Sequence, residues 1–203
     1  MLTDPERERI VQAIREAESR TSGEIYCVFT NASSTYRVFP IAYASTAALL
    51  VPLPLIHLTS WAAGVIYFVQ LLVFLGMLYV TSRSAVRYRL VPRQTRRARA
   101  HQEALRQFAA HGLQHTELRT GVLIFVSLAE RYAEVIADAG INQKVAPEVW
   151  STCVKSLIAE ASAGRLAEGF AIAIANCADV LAQHFPPGRI NRDELPNAIV
   201  ELS

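Results

Sequence analysis

Between Arg37 and Arg83 the chain has no aspartate, glutamate, lysine or arginine. A helix of a soluble protein normally keeps a polar outer face, so a gap of this length excludes ordinary surface helices there. The chain also lacks a CxxC pair. Its three cysteines, Cys27, Cys153 and Cys177, are odd in number and sit in apolar stretches. That pattern excludes a disulfide framework or a zinc ribbon and reads as buried free thiols in a reducing compartment. A Walker loop, a GxGxxG fingerprint, a GxSxG elbow and an HExxH pair are all missing, so no nucleotide, serine-hydrolase or zincin chemistry is signalled. His111 and His115 are four apart, but Gly112 between them ends the helix on which that spacing would matter; both are expected in structural or surface roles, with His57 in a turn. The net charge of +2 is too small for a general nucleic-acid binder, and no nucleic-acid partner is expected.

What fills the uncharged gap is apolar. VFPIAYASTAALLVPLPLI (about 38–56) and WAAGVIYFVQLLVFLGMLYV (61–80) flank the turn HLTS, and about 20 apolar residues suffice for one crossing of a bilayer. The first run is the weaker, with Ser45, Thr46, Pro52 and Pro54 inside it; the second has Gln70 as its polar member, and Trp61 and Tyr79 near its ends as interfacial aromatics. The other reading, a buried core hairpin of a soluble protein, would require a polar stripe that neither run has. Arg83, Arg87, Arg89, Arg93, Arg96, Arg97 and Arg99 follow the second run with no acid before Glu103, Arg37 precedes the first, and the turn has no Lys or Arg. The positive-inside rule then predicts both termini in the cytoplasm and the turn outside, with these seven arginines meeting anionic lipid headgroups. An RNA-binding patch is the alternative, but beyond Tyr88 no aromatics interleave. MLTDPERERI has no basic n-region followed by an apolar h-region, so no cleaved signal peptide is expected and the hairpin itself directs insertion.

Outside the hairpin the periodicity is α/β. A helix is predicted over 3–20, with a Thr3/Glu6 capping box, the stripe Ile10, Val11, Ile14, Ala17, and Gly23 as its stop. Glu24–Thr30 reads as a strand buried on both faces. After the hairpin come a helix over Pro92–His111 with Ala98, Leu105, Phe108 and Ala109 inward, then the strand Gly121–Leu128. A turn at Ala129–Arg131 leads to an antiparallel strand Tyr132–Asp138. Pro147 opens a helix to about Ala163 with Val149, Trp150, Cys153, Leu157 and Ile158 inward. Gly164 breaks it, and Arg165–Phe185 follows with Leu166, Phe170, Ile174, Cys177 and Leu181 inward. The tail ELPNAIVEL should dock on the body. Residues 1–37 and 83–203 are then two parts of one cytoplasmic domain, with 38–82 inserted in it as a membrane hairpin.

These pieces resemble the TPM-domain family: TSGEI at 21–25, RTGVLIFVSLAER at 119–131, the VIADAGI…K run from Val135 to Lys144, Trp150, SAGRLAEG at 162–169, and the ending HFPPGRINRDELP. The likeness covers most of the chain outside the hairpin and is similar to a bacterial branch with membrane helices in the domain. It implies an α/β sandwich, a small sheet between helices. Some members are linked to phosphatase activity, calcium binding or photosystem repair, and many are uncharacterised membrane proteins. Secreted and lumenal members carry a glycine-rich acidic step after the second strand; here it reads Asp138-Ala139-Gly140-Ile141-Asn142, with one acid.

Strand ends are where α/β sheets hold ligands. Glu24 and Arg119 lie just before two strands, Asp138 closes a third, and Asn142 and Lys144 follow. If these ends converge, Glu24, Asp138 and Asn142 would offer oxygens to Ca²⁺ or Mg²⁺, and the cation would hold a phosphate for hydrolysis. The plainer reading is that Asp138 caps the turn, Gly140 permits its backbone and Lys144 is solvated. A membrane-tethered binding or assembly-support module is therefore the leading expectation. The alternatives are a metal-dependent phosphatase acting through Glu24/Asp138, or a structural subunit of a membrane complex that uses the hairpin and Gln70.

Overall fold

The computed structural model describes residues 2–187 and 194–202, without the side chains of Ser84 and Ala85. In chain order the elements are α1 (Asp4–Glu18), β1 (Glu24–Thr30), α2 (Val38–Leu50), α3 (Pro52–Leu58), α4 (Ala63–Ser82), α5 (Ser84–Leu90) and α6 (Arg93–Ala110). They continue with β2 (Gly121–Ser127), β3 (Tyr132–Ala137), α7 (Ala139–Asn142), α8 (Trp150–Ser162), α9 (Leu166–His184) and β4 (Ile199–Leu202). The chain forms two compact units, residues 1–33 with 97–203, and residues 34–96.

The first unit is mixed α/β around a four-stranded sheet ordered β3-β2-β1-β4, with β1 parallel to both β2 and β4 and β2 antiparallel to β3. Every residue of β1 and β2 is buried, because both faces are covered. Ile25, Cys27, Phe29, Val122, Ile124 and Val126 face a core shared with α1, α8 and α9. Tyr26, Val28, Leu123 and Phe125 face Ala100 and Ala104 of α6. Helices thus lie on both faces, as expected for a sheet whose central strands are apolar throughout.

Several elements differ from expectation. α1 starts with the Thr3–Glu6 capping box but ends at Glu18. Gly23 is not its stop; that residue lies against Leu181, where a Cβ would come within 3.0 Å of a side-chain carbon. α6 buries Ala100, Ala104 and Gln107, while Ala98, Leu105 and Ala109 are exposed. The sheet presents the large Tyr26 and Phe125 here, so close packing selects small residues on the helix. Val149 and Ile158 are exposed, although Trp150, Cys153 and Leu157 of the same stretch are buried. Pro147–Val149 is one turn of 3-10 helix, which rotates Val149 off the α8 stripe. The tail is a fourth strand, because β1 has an open edge that Ile199–Leu202 completes. All three cysteines are buried free thiols, as expected. Burial pushes the Cys27 thiol far up, and a hydrogen bond with Cys153 raises Cys177 well above the usual thiol range. The HFPPGRINRDELP ending falls partly on residues 188–193, outside the described residues.

In the second unit α2 continues through helical Val51 into α3, so Pro52 and Pro54 sit inside one 21-residue apolar helix, Val38–Leu58, and the turn begins at Thr59. Pro40, Ala44 and Ala48 recur every four residues and are buried; α2 packs on α4, where Ile66 and Thr81 are the buried residues. Thr81 donates to the carbonyl of Met77 at 2.6 Å. The unit extends to Ser34 and Arg96, beyond the expected bounds of 38–82, because the unanticipated α5 packs back on α2 and α4.

Candidate functional site

The residues expected at strand ends lie at the edge of the sheet where β1 and β2 begin and β3 ends. The Arg119 guanidinium grips Asp138 through two nitrogens, Nε to Oδ2 at 2.6 Å and Nη2 to Oδ1 at 3.1 Å. Asp138 is 5% exposed, and its Oδ1 also accepts the N–H of Ala139 at 2.7 Å as the N-cap of α7. The carboxylate raises the already high pKa of Arg119 further through that hydrogen bond and its charge. Asn142 turns its amide nitrogen onto the Ala137 carbonyl at 2.7 Å. Glu24, also buried, accepts the N–H of Leu195 at 3.3 Å. Lys144 is not simply solvated: its Nζ stands 4.5 Å from the Phe185 ring centroid, a cation–π contact.

The motif residues themselves fasten this edge. Thr21 donates to the carbonyl of Phe185 at 2.6 Å, and Thr120 donates to that of Ser22 at 2.9 Å. Gly121 lies so close to Leu113 that a Cβ would sit 2.4 Å from its carbonyl oxygen. Arg119 has φ +56, a conformation uncommon outside glycine. Gly140 is needed for space rather than for a positive φ: a Cβ there would lie 2.6 Å from the carbonyl oxygens of both Leu118 and Arg119. The structure therefore brings Arg119, Asp138 and Asn142 together as a structural lock. The Glu24 carboxylate bonds to the chain near the C-terminus, and Lys144 packs on the end of α9. Among the described residues no three His, Cys, Asp or Glu side chains gather as metal ligands would.

The opposite edge, at the carboxyl ends of β1 and β2, carries the feature that sequence reading missed. A cavity of about 310 Å³ opens beside the end of β2, between the β2–β3 turn and α8, with Ser127, Leu128, Arg131, Tyr132, Ile158 and Ser162 in its wall. Ser127 donates to the buried carboxylate of Glu130, which also receives the N–H of Ser33 at 3.2 Å on each oxygen. Ser33 bonds Ser127 at 2.9 Å. Arg131, at φ +49, closes the β2–β3 turn. The only foretaste in the sequence is the polar SLAER turn between two apolar strands. The cavity wall mixes the polar Ser127, Arg131, Tyr132 and Ser162 with the apolar Val126, Leu128, Ala133, Ile158 and Ala161. Nearby on the other sheet face, His101 meets Glu134 at 2.9 Å and Tyr132 donates to Glu134 at 2.9 Å. Burial, with the Glu134 charge and hydrogen bond added, pushes the Tyr132 phenol far up.

The arginine run lies on the elements that follow the apolar hairpin. Arg83 joins α4 to α5, Arg87 and Arg89 are on α5, and Arg93, Arg96, Arg97 and Arg99 are on the first turns of α6.

No family model and no curated protein matches the chain. Among solved structures it is similar to the NMR structure of the BA42 protein from the psychrophilic bacterium Bizionia argentinensis. The match has a TM-score of 0.61 and 23% identity over 99% of this chain and 95% of that one, and at that identity it speaks for the fold alone.

Proposed function

We propose that this chain is a multi-pass protein of the bacterial inner membrane, in which Val38–Leu58 and Ala63–Ser82 cross as a hairpin. Both termini lie in the cytoplasm, and the TPM-like α/β domain serves as a membrane-tethered binding or assembly-support module. One observation carries the reading. Eighteen of the exposed large hydrophobics fall between Val38 and Val80, against four elsewhere in the described residues. They include Leu49 at 70%, Tyr67 at 67% and Phe68 at 58% exposed, on helices with no polar face. Half-exposed side chains of this kind gain about 1 kcal/mol each on leaving water, on the order of 10–20 kcal/mol together, which rivals the whole stability of a domain. At 1.5 Å per residue the two helices span about 32 and 30 Å, matching a hydrocarbon core of about 30 Å. A third helix, Leu166–His184, is also long and apolar enough by composition. Its Phe170, Ile174, Cys177 and Leu181 are already in the core of the first unit, and its Glu168 and Asp179 ion-pair with Arg9 and Arg20.

The binding role follows from how the polar groups are used. Asp138 is engaged on both oxygens, so a metal-dependent phosphatase would first have to break the Arg119 lock. The cavity beside Ser127 has Arg131, Tyr132 and Ser162 as polar groups in a wall that is otherwise largely apolar. The experiment is extraction of membranes from expressing cells at high pH and with urea. Retention in the pellet until detergent is added is the expected result, and release into the aqueous supernatant would sink the reading.

A second reading, a subunit of a larger membrane complex, is favoured by Gln70. It lies near the middle of α4, and its amide has no hydrogen-bond partner among the described residues. An unpaired amide in hydrocarbon costs several kcal/mol, and a neighbouring helix is the usual remedy. Gln70→Leu should then weaken co-purification of a partner helix without altering membrane retention.

A further inference from the structure

The arginines of this chain divide into two groups by what they touch. Arg7, Arg9, Arg20, Arg106, Arg119 and Arg165 each pair with a carboxylate of the chain. Among the described residues, none of Arg83, Arg87, Arg89, Arg93, Arg96, Arg97 and Arg99 does. Seven positive charges within seventeen residues repel one another, and no carboxylate among the described residues pairs with them.

Within the unit of residues 34–96 the arrangement is built rather than diffuse. α5 packs on α2 and α4, and the Tyr43 hydroxyl donates to the Leu90 carbonyl at 3.3 Å. Tyr88 meets the Tyr36 ring edge-on at 5.8 Å, and Val91 is buried. Arg83 lies 4.9 Å over the Tyr79 ring and donates to its hydroxyl, while Arg87 lies 5.3 Å from the Tyr88 ring. These contacts fix the guanidinium stems. The Nε–H groups of Arg87 and Arg96 are nevertheless shielded from water and have no acceptor among the described residues. An atom that water cannot reach is closed to a phosphate as well, so an acceptor from outside the chain would meet the terminal nitrogens of these guanidinium groups, which pair with no carboxylate among the described residues. Its chemistry is set by the donors: an anionic oxygen, best a phosphate, which guanidinium groups recognise geometrically. Its source is set by position, since α5 begins one residue after α4 ends, at the depth where a crossing α4 meets headgroups.

We propose that the base of the hairpin is a binding site for the phosphate of an anionic phospholipid, with Arg87 and Arg96 donating through the terminal nitrogens of their guanidinium groups and Arg83 and Arg89 adding charge. This rests on the reading of residues 38–82 as membrane-crossing. An acidic protein segment would match the charge but has no reason to sit at the end of α4.

The test uses the full chain in neutral detergent, with its thermal midpoint followed as phosphatidylglycerol or phosphatidylcholine is added, and inorganic phosphate at equal phosphorus as a third arm. Phosphatidylglycerol should raise the midpoint by several degrees, phosphatidylcholine should not, and inorganic phosphate should do little. The rise should vanish in Arg87→Gln/Arg96→Gln and persist in Arg97→Gln/Arg99→Gln. Arg87→Lys/Arg96→Lys, which keeps the charge and removes the planar guanidinium fork, should lose most of it and serves if the Gln pair fails to fold. Equal responses to both lipids, equal loss in both Gln pairs, or full reproduction by inorganic phosphate would overturn the site. A protein that stays soluble without detergent would fail the membrane reading itself, a different result from a membrane-retained protein indifferent to phosphatidylglycerol.

Discussion

Asp138 carries two loads at once, the α7 cap and the Arg119 pair, so its replacements separate them. Asp138→Ala removes both and should destabilise the domain by about 2–4 kcal/mol. Asp138→Asn keeps a capping oxygen and should cost about half as much; urea unfolding in detergent followed by Trp150 fluorescence reads both. The outcome that would restore a metal role is saturable Ca²⁺ or Mg²⁺ binding lost in the Asn variant with stability unchanged. Gly140→Ala should cost about 1–3 kcal/mol, because the two carbonyl oxygens 2.6 Å from its Cβ are backbone and cannot swing away. His111 gives the pH dependence. It stacks on Tyr26 with ring centroids 4.4 Å apart, and burial holds its pKa below the ordinary 6.5. The unfolded chain therefore takes up this proton more readily, and stability present above pH 6.5 is lost as pH falls through 6.5 toward the folded pKa. For Glu103, burial pushes the carboxyl up, but hydrogen bonds from Arg106 and Gln107 outweigh it and hold the pKa below 4.5. Its contribution is present above 4.5 and lost below. Acid titration of the thermal midpoint should show two declines, and His111→Phe should abolish the upper one alone.

At the scale of elements, what could be read was what needed only one segment. β1 is found residue for residue at Glu24–Thr30, because a strand covered on both faces is apolar at every position between its polar ends. β2 and the antiparallel β3 follow from two apolar runs and a short polar turn. α6 was placed correctly but rotated wrongly. Alanine is neutral in any hydrophobic stripe, and only the Tyr26 and Phe125 rings opposite select Ala100 and Ala104. β4 escaped because IVEL is four residues long and becomes a strand through the β1 edge it completes. Its weight can be measured: Ile199→Ala should cost about 2 kcal/mol, since Ile199 is buried in the main core. A cost near zero would mean that the tail is a loose appendage. The candidate site was half legible. TSG, RTG and DAG meet at one sheet edge, but whether their polar groups face a ligand or one another depends on register, which the paired partners fix.

For the whole molecule, the decisive prediction is topological. A reporter at Ser60 should read as outside and reporters at both termini as inside; a C-terminal reporter outside would refute the arginine argument. That prediction needs no coordinates, because transfer of apolar side chains and the placing of arginines are additive along the chain and independent of distant partners. The sequence by itself determined this much: the uncharged gap, the two apolar runs, the arginine asymmetry, the central strands and the free cysteines. The tertiary structure alone decided what depends on segments far apart meeting: the fourth strand, the face of α6, the Arg119–Asp138 lock, the cavity beside the β2–β3 turn, and the arginines left without a carboxylate. Pairing across the fold obeys geometry, and no local pattern of residues encodes it.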